Sequence, residues 1–124
     1  MILVDTSVWI DHLRSGEPQL MNYLQQGQVV MHKMVLGELA CGNLQNRKQL
    51  IGLWSALPAA VSASHAEVML CIEQRKLMGR GIGYVDIHLL ASVMLTGSTK
   101  LWSRDKRLDK VASELGLSLA EQRH

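Results

Sequence analysis

Short apolar runs separated by stretches of helical periodicity recur along this chain, and that alternation limits its fold more than any other feature. Residues 2–4, 28–31, 59–62, 100–102 and 117–119 each read as a short buried strand. Helix signals lie between them. Thr6 or Ser7 reads as the N-cap of a helix with Val8, Trp9, Ile10 and Leu13 as its apolar face, stopping at Ser15-Gly16. Pro18 opens a second helix that ends at Gly27. A helix over 33–41 carries Glu38 and stops at Gly42-Asn43, and another over 45–57 stops at Pro58. Ser64 and Glu67 have the spacing of a capping box for a helix through Met78. Glycines 79, 81 and 83 form a turn, Asp86 begins a very apolar segment through Leu95 closed by Gly97, and a last helix over 107–115 ends at Gly116. Strands this apolar, alternating with helices, predict an α/β fold: a central parallel sheet flanked by helices in three layers, as one domain over residues 1–124.

The bulk properties agree with a globular domain and narrow its environment. Apolar residues make up 48% of the 124 and charged residues 19%, so a real core is affordable. With no Phe and seven Met, that core is aliphatic, its gaps filled by flexible thioethers. Trp9 and Trp102 are expected as packed aromatics. No apolar run approaches the roughly 20 residues of a membrane span, and an acid at position 5 argues against a signal peptide. Cys41 and Cys71 have no CxxC spacing and read as buried thiols in a reducing compartment, so the protein is expected in the cytoplasm. A net charge of +2 does not by itself mark a nucleic-acid binder, but gathering the acids into one site would leave the remaining surface basic.

The acids carry the chemistry. Open parallel sheets bind ligands beyond the carboxyl ends of their strands. Asp5 directly follows the first apolar run and Asp105 follows Leu101-Trp102. Asp86 stands at the start of an apolar helix, where the dipole favours an anion. Glu38 lies in an otherwise apolar helical stretch, a costly place for a charge without a partner. Singly, each has a bland reading: a helix cap for Asp5 and Asp86, solvent for Glu38, an ion pair with Arg104 or Arg107 for Asp105. Their joint placement is what points to a site.

The segments around these acids, Met1-Ile2-Leu3-Val4-Asp5-Thr6-Ser7-Val8-Trp9-Ile10, Gly37-Glu38-Leu39, Gly81-Ile82-Gly83-Tyr84-Val85-Asp86 and Leu101-Trp102-Ser103-Arg104-Asp105, resemble the PIN-domain ribonucleases, and within them the VapC toxins of bacterial toxin–antitoxin pairs. The family keeps an acid at each of these places, so the resemblance implies Asp5, Glu38, Asp86 and Asp105 as catalytic residues. Where the family often has Thr, this chain has Ser103, which keeps the hydroxyl. The resemblance further implies an RNA substrate, a small antitoxin whose Arg-bearing C-terminal tail crosses the acidic groove, and a homodimer.

Four carboxylates with no His or Cys at ligand spacing make a hard oxygen site suited to Mg²⁺ or Mn²⁺. Asp5 and Asp86 are the expected principal ligands, with Glu38 and Asp105 acting through water or orienting the nucleophile. The hydroxyls of Thr6 and Ser103 are expected to hold the carboxylates in place. Water-driven cleavage would leave a 5′-phosphate and a 3′-hydroxyl. Arg80, Arg104 and Lys106 are the expected RNA contacts, and Asp109 reads as a solvated helix position. The five histidines show no zinc pairing, and the glycine turn lacks the strand and spacing of a dinucleotide fingerprint. A phosphatase of the haloacid-dehalogenase type would need an acid at position 7, which is Ser, and a receiver domain would need one at position 4, which is Val. The alternative that survives is a catalytically silent PIN-like module binding RNA or protein.

Overall fold

The first strand, β1 (Ile2–Val4), is the middle of a three-stranded parallel sheet in the computed structural model, which describes residues 1–120. The chain continues through α1 (Thr6–Ser15) and α2 (Pro18–Gln25) to β2 (Val29–Val30), then α3 (Lys33–Ala40), α4 (Arg47–Ser55), α5 (His65–Arg75) and α6 (Tyr84–Thr96), to β3 (Lys100–Trp102) and α7 (Lys106–Glu114). Sheet order is β2-β1-β3, with Leu3 opposite Val30 on one side and Leu101 on the other. All three residues of β1 are buried. Successive strand side chains point to opposite faces, so both faces of the sheet are covered, as a parallel sheet requires.

The core joins these strands to Val8, Trp9, Val35, Leu39 and one continuous run on α6, where every residue from Ile87 to Val93 is buried. That burial accounts for the absence of a polar stripe on α6: it is a central helix whose apolar residues reach solvent at its two ends, at Tyr84 and Leu95.

Several expectations need correction. Residues 59–62 and 117–119 contribute single bridges, Met31 to Ala59 and Leu101 to Ser118, rather than strands. On α1, Val8 and Trp9 are buried but Ile10 and Leu13 are 39% and 40% exposed. Both border an open groove with Leu39 and Leu44. The N-cap of α1 is Asp5, one residue before the hydroxyls. α5 stops at Arg75 because Lys76 turns left-handed (φ 54°), which carries Leu77 back into the core. α6 begins two residues before Asp86. Cys71 is buried, but Cys41, at the end of α3, is exposed. His124 lies outside the described residues.

Candidate active site

The sheet register brings the two ends of the chain together. Val4 lies opposite Trp102, and the Asp5 N–H donates to the Trp102 carbonyl at 2.9 Å. Asp5 and the segment 103–105 therefore leave the carboxyl ends of adjacent parallel strands side by side. β1 is also the switch point, with its chain neighbours on opposite sides, and crevices form at such points.

Each acid is held by one oxygen. Asp5 is buried and occupies the N-cap position of α1, but its side chain makes no capping bond. Instead Oδ2 accepts from Ser7 Oγ at 2.9 Å and from Ser103 Oγ at 2.7 Å. Glu38 is exposed, not on the buried face of α3, and its Oε1 accepts from Thr6 Oγ1 at 2.8 Å. Asp86 is half-buried in the first turn of α6, where Oδ2 accepts from the Gly83 N–H at 2.9 Å. Asp105 is exposed and caps α7: its Oδ1 accepts from the N–H groups of Arg107 at 3.0 Å and Leu108 at 3.1 Å. The second oxygen of all four takes no hydrogen bond from the described residues.

Electrostatics ties the four together. Burial pushes the Asp86 carboxyl above its ordinary value, the Gly83 N–H partly offsets this, and the charges of Asp5, Asp105 and Glu38 push it further up. Asp86 thus feels the other three, yet among the described residues no three such groups close directly around one ion. The two observations are compatible because Coulomb repulsion reaches farther than coordination. All-oxygen donors, each with one oxygen fixed and one unbonded, fit an ion that keeps several waters and takes only one or two direct carboxylates. Mg²⁺ has that habit.

Ser7 was not singled out in the sequence as a site residue. It donates to Asp5 and accepts from the Arg104 N–H at 3.0 Å, bracing the acid against the β3 end. The signal was only its place two residues after Asp5. Ser103 has a similar second bond, accepting from the Asp105 N–H at 3.0 Å.

The basic residues are disposed differently from expectation. The Arg104 guanidinium bridges Asp11 and Glu17 at 2.8 Å each, and lies 5.8 Å from the Trp102 ring centre. That anchors the turn after β3 to α1 and the loop behind it, while Arg104 also lines an open cavity beside the site. Arg80 pairs with Glu114 at 2.8 Å. Lys106 is exposed beside Asp105. The glycine turn packs over Arg107: a Cβ on Gly81, whose φ is +78°, would stand 2.8 Å from Arg107 Cδ. Glycine there satisfies both the backbone and the contact.

Comparison with known proteins bears on this arrangement. The PIN domain family matches residues 2–114. Two curated relatives, each named Ribonuclease VapC32 and belonging to Mycobacterium tuberculosis strains CDC 1551 / Oshkosh and ATCC 25618 / H37Rv, are 43% identical over 122 residues, covering 98% of this chain and 98% of their own.

Proposed function

Since this chain belongs to the PIN-domain family, beside the VapC ribonucleases, we propose that it is an endoribonuclease acting as the toxin of a type II toxin–antitoxin pair, with its active site at Asp5, Glu38, Asp86 and Asp105. The observation that carries this reading is the shared design of the four acids, each steered through one oxygen by a hydroxyl or backbone N–H while the other stays open.

Asp5 and Asp86 would hold the divalent ion, and Glu38 and Asp105 would act on it through water or orient the attacking water. Bound there, Mg²⁺ or Mn²⁺ supplies a polarised phosphate and a water of lowered pKa. Ser7 and Ser103 keep the Asp5 carboxylate in a single orientation, and Thr6 does the same for Glu38. Arg80, Arg104 and Lys106 meet the RNA backbone, and attack by water leaves a 5′-phosphate and a 3′-hydroxyl on the products. The protein works as one domain over residues 1–124 in the cytoplasm. Among the described residues, no helix is long and apolar enough to cross a membrane.

The antitoxin lies along the groove of Ile10, Leu13, Leu39 and Leu44, which runs to Glu38. There an Arg of its tail meets carboxylates bidentately. A homodimer is supported by the exposed Leu70 and Leu95, which border a hollow between α5 and α6.

The purified protein should cut RNA with Mg²⁺ or Mn²⁺ and stop in EDTA, and Asp86→Asn should slow cutting about 100-fold or more. Sequencing gels of a defined RNA read both. Undiminished cutting in EDTA would overturn the metal mechanism. A folded protein that binds RNA without cutting it would favour the silent module.

A further inference from the structure

The molecule holds a cavity of about 610 Å³ that the four-acid site does not use, lined by Ser103, Arg104, Lys106, Asp109, Ser113 and Ser118 among others. We propose that it is a nucleobase subsite selective for guanine, adjoining the scissile phosphate, with Asp109 as the residue that reads the base. This rests on the ribonuclease reading above.

The cavity shares a wall with the active site. Ser103, which lines it, is the residue whose hydroxyl donates to Asp5, and Lys106 directly follows Asp105. A phosphodiester lying at the acids therefore has its neighbouring nucleotide at the mouth of this space. The volume is in the range of small-ligand pockets, and single-stranded RNA splays out bases that proteins read along their Watson–Crick edges.

The lining chooses among bases. Lys106, Asp109 and Ser113, spaced three and four apart, share one side of α7. Asp109 is half-buried, not fully solvated, and Ser118 Oγ donates to its Oδ1 at 2.6 Å. That bond fixes the carboxylate and uses one of about four acceptor sites. Guanine is the base whose Watson–Crick edge offers two adjacent N–H donors, N1–H and N2–H, beside the O6 acceptor. A fixed carboxylate accepts both, and the Lys106 ammonium one turn away donates to O6. Adenine turns the N1 acceptor towards the carboxylate and is repelled. Cytosine and uracil each offer a single donor group.

The test uses the full-length protein, Asp109→Asn and Ser118→Ala, with thermal melts to establish that each is folded. Short single-stranded RNAs randomised around one cut are digested with Mg²⁺ and their ends sequenced. In parallel, binding in EDTA is measured for oligonucleotides that differ by one base, including inosine, which lacks the 2-amino group. The original protein should prefer guanine over adenine and over inosine at one position beside the cut by about tenfold or more. Asp109→Asn should erase that ratio in both assays, and Ser118→Ala should reduce it. A ratio unchanged in folded Asp109→Asn, equal treatment of inosine and guanine by the original, or equal binding of all bases would overturn the subsite. Absence of cutting by the original protein would overturn the ribonuclease reading, and the EDTA binding ratios would still judge the subsite.

Discussion

Asp86 sits where its own charge is least welcome, half-buried and facing three other carboxylates. Burial is the largest single cause of its raised pKa, ahead of each neighbouring charge, so repulsion alone does not describe the site. For a carboxyl raised on folding, the associated stability is present below the ordinary carboxylate pKa and lost as pH climbs through the folded value. Asparagine at 86 retains an oxygen for the Gly83 N–H while removing the charge. Without divalent metal, Asp86→Asn should therefore melt a few degrees above the original at pH 7, with the gap narrowing towards pH 4. Mg²⁺ at a hundred times its dissociation constant should stabilise the original by about 2.7 kcal/mol and the variant much less. Melts that coincide at pH 7 in EDTA would show that Asp86 carries no such burden. Residue types and spacing made the four acids legible, but not their partners. The Asp5 side chain turns from the capping role that its position suggests towards Ser7 and Ser103, one of them 98 residues distant.

At the scale of elements, α7 begins on an acid that serves two ends. Asp105 satisfies two of the N–H groups that open the helix while standing at the crevice. The two duties separate by substitution. Asp105→Asn keeps a capping oxygen and should leave stability within a few tenths of a kcal/mol while lowering cleavage. Asp105→Ala loses both and should cost about 1 kcal/mol in addition. Denaturant titration alongside cleavage rates distinguishes them, and equal stability of the two variants would show that the cap contributes nothing. Helix starts were readable where a side chain does the capping, as at Ser64. Helix ends were less so: nothing local told that Lys76 would adopt a left-handed backbone, because the gain is tertiary, in burying Leu77. Likewise Ile10 and Leu13 have helical spacing for the core yet face an open groove, since periodicity shows a face and not what covers it.

For the whole molecule, the parallel sheet and its alternation with helices were legible, because strands buried on both faces lose their polar residues. Its size was not. The outer runs at 59 and 118 have strand composition but add only one bridge each. Nor did the sequence show that two histidines would pack in the interior, their rings 6.3 Å apart. His32 is fully buried at the start of α3, its Nδ1 accepting from the Met34 N–H, and burial with the nearby His88 and Lys33 lowers its pKa to about 4. The folded protein resists protonating it, so stability present above pH 6.5 should be lost as pH falls towards 4, by up to about 3 kcal/mol. His32→Asn keeps a capping acceptor and should flatten that acid limb in melts between pH 7 and 4. An unchanged slope would place the acid sensitivity elsewhere. The central position of β1 has a consequence in time. β1 is completed on one side only by β3, and Asp5 meets Ser103 only after 98 further residues are joined. At roughly 5–20 residues per second, a ribosome would carry a chain without an assembled site for about 5–20 s. A cell making this protein is thus shielded from each molecule until the segment after β3 has been joined.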